Sequence, residues 1–283
     1  MRFDKITILG HKYPDVDAVV SGLMMEKLLK YYNYDAEFVI PDKYLDKDTY
    51  ELLLKYNIDM RKYQKKLEDN SVCFLVDHTE NVYTDNIIGI IDHHGTIPKQ
   101  MPEYYINKNI SSSAMIIYDI NPDIFNKEDE LLIVLASLVD TASFNSSKTK
   151  KLDIAKILEI VKKNNFDYEK LYKDGLCLTP LDNLRNAAFT GYKKLNHQNK
   201  IIASSYVQIY DDDFDKIKIM TNIVKDELWK DKIDIYVFII YDMRLMKTTL
   251  HFLSKKHFGK YIYQGYKSRK EVINDVLEKV KIW

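Results

Sequence analysis

The sequence predicts an α/β protein with two domains: an N-terminal, mainly parallel sheet flanked by helices, and a smaller mixed α/β domain after it. Short apolar runs alternate with helical periodicity through the first half of the 283 residues. Runs this apolar are typical of strands buried on both faces of a parallel sheet. Beyond the polar segment 164–167 the order of elements changes. We therefore predict domains at residues 1–163 and 168–283, joined by a linker at 164–167.

The first domain contains four predicted strands and five predicted helices. The strands lie near Lys5–Leu9, Ala36–Ile40, Val72–Val76 and Ile87–Ile91. Helical periodicity predicts helices at Asp17–Tyr32, Asp48–Asn57, Ser112–Ile120, Glu128–Phe144 and Leu152–Lys163. Strands that alternate with helices favour a parallel sheet.

The second domain contains fewer and longer strands. We expect them at Ile201–Ile209, Ile233–Tyr241 and Thr248–Leu253. Helices are predicted at Tyr168–Asp174, Leu181–Lys194, Asp212–Trp229 and Arg269–Lys281. This order of elements indicates a mixed sheet.

Composition excludes several classes of function. Basic and acidic residues balance at 42 each, so the chain has no overall charge to attract a nucleic acid polymer or a membrane surface. Cys73 and Cys177 have neither disulfide nor zinc spacing. The apolar run "LLIVLASLV" is far shorter than a membrane span, and the N-terminal run is too short for a signal peptide. We expect a cytoplasmic protein.

Three clusters of histidine and aspartate follow predicted strands. They are "GHKYPDVD" after the first strand, "DHTE" after the third and "DHHG" after the fourth. These clusters hold four of the seven histidines: His11, His78, His93 and His94. Ligands of open α/β sheets bind outside the carboxyl ends of the strands. The three clusters could therefore share one crevice.

A pair of divalent cations would explain this mixture of residues. Neighbouring carboxylates repel each other, and a bound cation removes that repulsion. Imidazole and carboxylate without thiolate suit manganese, iron, cobalt or zinc better than calcium. Asp15, Asp17, Asp77 and Asp140 with two or three histidines exceed the needs of one ion. Two ions about 3.5–4 Å apart, bridged by a carboxylate, would use them. Taken singly, each aspartate could instead cap a helix or solvate its end.

Five segments carry a resemblance to a known family: "GHKYPDVDA", "FLVDHTE", "IIDHHG", "SLVDTASF" and "GYKSRKEV". These segments occur in the same order as in the DHH phosphoesterase superfamily, which the chain resembles. It is most similar to the branch with a DHHA2-type C-terminal domain, which includes the manganese-dependent (family II) inorganic pyrophosphatases. The resemblance implies two divalent metal ions, manganese first with cobalt or magnesium as alternatives, a small phosphate-containing substrate and a homodimer.

The resemblance also implies metal ligands. One ion would be held by His11, Asp15 and Asp77. The other would be held by Asp17, Asp77, His93 and Asp140, with Asp77 as the bridge. The residues that orient these ligands would be His78 and Asp92.

Substrate contacts would come from His94 in the first domain and from "SRK" in the second, which is Ser268, Arg269 and Lys270. Arginine offers a planar fork to phosphate oxygens, and lysine offers a compact positive charge. The implied catalytic residues are Asp77, His94, Arg269 and Lys270.

The chain departs from the family pattern at four places. Tyr13 stands where asparagine is usual, and Gly95 follows "DHH" in place of a basic residue. Pro180 and Leu181 stand where the pyrophosphatases carry a substrate-binding lysine. Glu271–Val272 replaces a Lys-Gln pair.

Three functions follow. The first is hydrolysis of pyrophosphate by a hydroxide held between two metals. The second keeps this chemistry in a short-chain exopolyphosphatase or a small-nucleotide phosphodiesterase. The third is a catalytically impaired regulatory module that binds metal and phosphate.

Overall fold

The computed structural model describes residues 5–80, 83–146, 149–210, 213–230, 232–255, 257–267 and 269–280. The chain divides into two compact units, and the division falls between Gly175 and Leu176. The predicted linker, 164–167, lies inside the first unit. Asn164 ends helix α5, and Asn165 follows with a left-handed backbone (φ 55°). The turn ends one helix and starts the next, and helix α6 after it still belongs to the first unit.

The first unit is built on a parallel sheet, as predicted, and the sheet has five strands. Its strands lie in the order β2-β1-β3-β4-β5. They are β1 (Ile6–Leu9), β2 (Ala36–Val39), β3 (Val72–Val76), β4 (Ile87–Asp92) and β5 (Tyr104–Asn107). Strand β5 was not predicted, because this edge strand is only partly buried and lacks the long apolar run of the others.

Helices of the first unit pack mainly on one face of this sheet. They are α1 (Val16–Tyr31), α2 (Lys47–Lys55), α3 (Ser113–Ile120), α4 (Lys127–Asp140), α5 (Lys151–Asn164) and α6 (Tyr168–Gly175). Met60–Tyr63 and Pro122–Ile124 form short 3₁₀ helices. Apolar residues of α1, α3 and α4 form one core with the strands. A smaller apolar cluster covers the other face.

Helix α4 ends earlier than the predicted Glu128–Phe144. It stops at Asp140, and Ala142, Ser143 and Phe144 all have left-handed backbones, which no α-helix can contain. The prediction was therefore four residues too long. Asp140 consequently lies in the last turn of the helix and not in its interior.

The second unit contains a mixed sheet, also as predicted, in the order β10-β9-β8-β7-β6. Its strands are β6 (Lys193–His197), β7 (Lys200–Ile209), β8 (Ile235–Asp242), β9 (Lys247–Ser254) and β10 (Phe258–Gln264). Only β7 and β8 are parallel. Its helices are α7 (Leu184–Ala188), α8 (Phe214–Lys230) and α9 (Arg269–Val280).

The predicted helix Leu181–Lys194 was wrong over most of its length. Only α7 is helical there, because Gly191 has a positive φ of 60° and β6 begins at Lys193. The predicted ends at Asp212 and Lys281 lie outside the described residues. Strands β6 and β10 were not predicted. Among the described helices, none combines the length and apolar composition needed to cross a membrane.

Candidate metal centre

The first cluster lies where β1 passes into α1. Asp15 caps α1, and its Oδ1 accepts a hydrogen bond from the backbone N–H of Ala18 at 3.1 Å. Its Oδ2 lies 3.3 Å from His11 Nε2. Asp15 can therefore cap the helix through Oδ1 and still present Oδ2 to the cluster.

Asp17 is buried in the first turn of α1, with 1% of its surface exposed. Its Oδ2 accepts the backbone N–H of Ser113 at 2.7 Å, and its Oδ1 accepts that of Ala114 at 3.0 Å. Ser21 donates a further hydrogen bond to Oδ1. The start of α3 thus supplies the donors that a buried carboxylate needs. Asp17 Oδ2 also lies 3.8 Å from His93 Nε2.

Asp77 stands at the centre of the cluster, directly after β3. Its Oδ1 lies 3.4 Å from His93 Nε2, and its Oδ2 lies 3.7 Å from His11 Nε2. The residue is buried and has a left-handed backbone, φ 65°, which is uncommon outside glycine. Ser113 Oγ donates to Oδ1 at 3.1 Å. The two oxygens of one carboxylate therefore face two different histidines.

Asp92 fixes the turn that carries both histidines after β4. Its Oδ1 accepts the backbone N–H groups of His93 and His94 at 2.8 and 3.1 Å. The same oxygen lies 2.8 Å from His94 Nδ1, and Thr96 Oγ1 contacts Oδ2 at 3.4 Å. Asp92 is fully buried, and these hydrogen bonds, chiefly those from His94, lower the pKa of its carboxyl against the effect of burial.

His93 presents one ring nitrogen to the carboxylates. Its Nδ1 lies 3.0 Å from the carbonyl oxygen of Ile110, so Nδ1 carries the proton of the neutral ring. Its Nε2 lies 3.2 Å from Asp140 Oδ2. Nε2 is buried and has no hydrogen-bond partner among the described residues. A buried nitrogen of this kind is suited to a cation.

His78 and His94 border the cluster differently. His78 Nδ1 lies 3.0 Å from the carbonyl oxygen of Val76, and its ring contacts that of His11 edge-on at a centroid distance of 6.4 Å. The side chain of His94 is 49% exposed, and its Nδ1 lies 3.7 Å from Asp77 Oδ1. His78 thus packs behind a predicted ligand, whereas His94 reaches solvent.

The carboxylates of the cluster outnumber the positive charges that face them. Burial, with the charges of Asp17 and Asp15, raises the pKa of Asp77 well above its ordinary value. Burial and the charge of Asp17 raise the pKa of Asp140 to about 7. These four carboxylates therefore repel one another in the absence of a cation.

The histidine pKa values shift in the complementary direction. Burial lowers the pKa of His11, but the hydrogen bond and charge of Asp15 outweigh it and raise the value to about 9. The pKa of His93 is also raised against burial, by Asp17 and Asp140. Both histidines therefore hold protons more strongly than usual, and bound divalent cations would offset the same negative charge.

The donor set suits divalent cations. Two groups of residues each offer ligand atoms that all lie within 4.8 Å of one another inside the group: His11 with Asp15 and Asp77, and Asp77 with His93 and His94. Asp77 belongs to both groups. His94, a member of the second group, was expected to contact the substrate and not a metal. Asp17 and Asp140, the other expected ligands of that ion, each place Oδ2 within 4 Å of His93 Nε2.

Within the "SRK" segment, Arg269 is the first residue of α9 in the second unit. Arg269 packs its guanidinium over the ring of Tyr206, 5.9 Å from the centroid, and donates to the carbonyl oxygen of Gly191. Ser268 lies outside the described residues, as does the side chain of Lys270. Pro180 and Leu181 precede α7.

Sequence reasoning missed Ser113 and the carbonyl of Ile110. The run "SSS" at 111–113 before an apolar segment does indicate a helix start, and Ser112 caps α3. Nothing in that pattern indicates that the next serine contacts Asp17 and Asp77. These contacts depend on the packing of α3 against the strand ends.

The first unit is thus a parallel α/β sheet with a group of aspartate and histidine side chains, suited to bind metal, at the ends of its strands. The family described as "DHH family, N-terminal domain" matches residues 5–161, which is more than half of the chain. The chain therefore belongs to the DHH family.

Curated relatives come from archaea and bacteria. A manganese-dependent inorganic pyrophosphatase of Methanothrix thermoacetophila is 28% identical, over 56% of this chain and 54% of that protein. A Clostridium acetobutylicum protein assigned to the same group is 27% identical, over 79% of this chain and 78% of that protein. The similarity thus spans about half of the first relative and most of the second.

Two solved structures share the fold. One is a Methanococcus jannaschii protein assigned to the family II inorganic pyrophosphatases, with a TM-score of 0.60, 19% identity and coverage of 97% of this chain and 98% of that chain. The other is an exopolyphosphatase-related protein from Bacteroides fragilis, with a TM-score of 0.51, 16% identity and coverage of 98% and 93%.

Proposed function

We propose that this chain is a two-metal phosphohydrolase that cleaves inorganic pyrophosphate to phosphate. The single observation that carries the proposal is the position of Asp77, whose two oxygens face His11 and His93 separately. A carboxylate in this position is suited to bridge two ions. Manganese is the proposed metal, because the curated relatives are named as manganese-dependent.

The proposed ligands are those expected from the sequence. One ion would be held by His11, Asp15 and Asp77, and the other by Asp17, Asp77, His93 and Asp140. When bound, such ions activate water and offset charge on phosphate oxygens.

Protein side chains would hold this arrangement and contact the substrate. Ser113 orients Asp77, and Asp92 fixes the turn that carries His93 and His94. His94 Nδ1 lies 2.8 Å from Asp92 Oδ1, so a hydrogen bond to a phosphate oxygen would come from Nε2 of the protonated ring, whose side chain is half exposed. In the second unit we propose the segment 268–270 as phosphate ligands, on the basis of its resemblance to the family motif. A cytoplasmic homodimer is proposed on the same basis.

The direct test measures phosphate release from pyrophosphate with added manganese. Asp77→Asn should reduce release by more than the roughly 10- to 100-fold that loss of an outer partner of a metal ligand costs. Asp123→Asn, an exposed aspartate in the same unit, is the matched control and should change little. Unchanged turnover in Asp77→Asn would contradict the proposal.

A second candidate substrate is short polyphosphate. Gly95 stands where the pyrophosphatases carry a basic residue, and a Cβ added there would meet no atom within 4 Å. Open space beside His94 leaves room for a substrate longer than pyrophosphate. Faster phosphate release from tripolyphosphate than from pyrophosphate would favour this candidate. Binding of both without release would favour the regulatory module.

A further inference from the structure

A cavity of about 370 Å³ lies within the second unit, between α8 and strands β8–β10. This volume is typical of small-molecule sites. One wall is a single face of α8, because Phe214, Ile217, Lys218, Thr221 and Lys225 recur at intervals of three or four residues.

The other wall is one face of the second unit's sheet. Lys247, Thr249 and His251 alternate along β9, so their side chains point to one side. On β10, Lys260 is paired with His251, and Phe258 lies two residues before it. Phe258 is 49% exposed, so this part of the sheet is left open to a ligand.

The cavity carries a surplus of positive charge. Its lysines are Lys218, Lys225, Lys247 and Lys260. Among the described residues none of these four forms an ion pair with a carboxylate. Of the two acidic residues among the described lining, Asp213 pairs with Lys216 at 3.1 Å, and Asp242 accepts the uncharged backbone N–H of Leu245 at 2.8 Å. The four lysines outnumber these two carboxylates. The cavity is therefore suited to an anion.

A planar apolar surface lies beside these charges. Lys225 Nζ lies 4.7 Å from the centroid of the Phe258 ring, and the ring of His251 lies 5.9 Å from it. His251 is buried, and its Nδ1 lies 3.0 Å from Thr221 Oγ1. Burial, with the charges of Lys260 and Lys225, lowers the pKa of His251 to about 4, so the imidazole stays neutral and can serve as a hydrogen-bond partner.

The cavity is separate from the "SRK" segment. Side chains alternate across a strand, so Ile240 faces the cavity and the adjacent Tyr241 faces the opposite side of the sheet. On that opposite side, the ring of Tyr241 packs 5.9 Å from that of Tyr206, over which Arg269 lies. The sheet thus stands between Arg269 and the cavity.

We propose that this cavity binds a mononucleotide, with its phosphate on the lysines and its base against Phe258. Inorganic phosphate would leave the aromatic and aliphatic surface unused, and a neutral apolar ligand would make no contact of opposite charge with the four lysines. A phosphate attached to a planar base satisfies both. This site is independent of the proposed metal centre and of its substrate.

Calorimetric titration of the full-length protein with AMP tests the proposal. Binding is expected with manganese and equally with EDTA, since none of the residues that form this cavity belongs to the metal cluster. Adenosine and inorganic phosphate should each bind at least about tenfold more weakly than AMP, because each offers only half of the contacts. Hydrogen exchange should show that AMP protects α8, β9 and β10.

Variants test whether AMP binds in this cavity. Lys260→Glu and Phe258→Ala, both at exposed positions, should each weaken AMP binding about tenfold or more. Lys232→Glu, an exposed lysine outside the cavity, and Arg269→Ala should leave it unchanged. Absence of AMP binding to the native protein would overturn the proposal. So would phosphate binding as tight as AMP binding, or loss of AMP binding in Arg269→Ala with retention in Lys260→Glu. The proposed pyrophosphate hydrolysis is measured separately and does not depend on any of these binding results.

Discussion

Ser113 Oγ donates a hydrogen bond to Asp77 Oδ1 at 3.1 Å, so a residue at the start of α3 holds the central carboxylate of the candidate metal centre. The backbone N–H of the same serine donates to Asp17 Oδ2 at 2.7 Å. One residue therefore orients two predicted ligands that come from different strand ends. Helix α3 is thus a structural part of the site, although it supplies no predicted metal ligand.

Ser113→Ala should weaken manganese binding by about 10- to 100-fold, because Asp77 loses the donor that fixes one of its oxygens. Titration of the metal-free protein, followed calorimetrically, measures this change. Ser111→Ala is a matched control, since Ser111 is buried and its Oγ has no hydrogen-bond partner among the described residues. Equal affinities for the two variants would show that the Ser113 contact is dispensable.

Asp92→Asn should loosen the turn that carries His93 and His94. The carboxylate accepts N–H groups from both residues, and charge-assisted hydrogen bonds of this kind contribute about 1.5–3 kcal/mol each. We expect the free energy of unfolding to fall by about 1–2 kcal/mol, because asparagine keeps one acceptor oxygen but loses the charge. Urea denaturation of the native protein and the variant measures this difference in unfolding free energy. A variant as stable as the native protein would argue against this role.

Gly89→Ala should destabilise the first unit through overpacking. A Cβ at Gly89 would overlap the ring of Phe74, its cross-strand neighbour on β3. Such overpacking costs about 1–3 kcal/mol. Gly95→Ala is the control, because a Cβ there meets nothing within 4 Å, and its effect should stay within about 0.5 kcal/mol. Thermal unfolding of both variants checks the difference, and a neutral Gly89→Ala would contradict the packing described for these strands.

His251 should make the second unit less stable in mild acid. Its folded pKa is lowered to about 4, chiefly by burial and also by Lys260 and Lys225, whereas the unfolded side chain titrates near 6.5. The unfolded state therefore binds the extra proton between these values. The stability that His251 contributes is complete above about pH 6.5 and is lost as the pH falls toward 4. At about 1.4 kcal/mol for each pKa unit, the loss is up to about 3 kcal/mol.

His251→Leu isolates this effect. The difference in unfolding free energy between the native protein and this variant should change with pH between about 6.5 and 4 and stay constant above that range. Urea denaturation at several pH values gives the difference. A constant difference across the whole range would mean that His251 titrates normally in the folded state.

The parallel sheet and the gathering of the site were predictable because both depend on local patterns. Apolar runs identify the strands β1, β3 and β4, and parallel strands place their carboxyl ends at one edge of the sheet. The sequence neighbours of those ends, His11, Asp77 and His93, therefore had to lie close together. Asp140 joined them only because α4 ends where it does.

Other features depend on tertiary contacts that no short pattern encodes. Edge strand β5 and the outer strands β6 and β10 are partly exposed, so they lack the apolar runs of buried strands. Strand β10 alternates between exposed and partly buried residues, a period of two that indicates a strand in retrospect. The contact of Ser113 with Asp77 depends on how α3 packs.

Anomalous diffraction from crystals grown with manganese tests the central claim most directly, since it locates the ions without reference to activity. We predict two manganese peaks, one beside each carboxylate oxygen of Asp77, with His11 next to one and His93 next to the other. A single peak, or peaks that do not share Asp77, would contradict the two-metal centre.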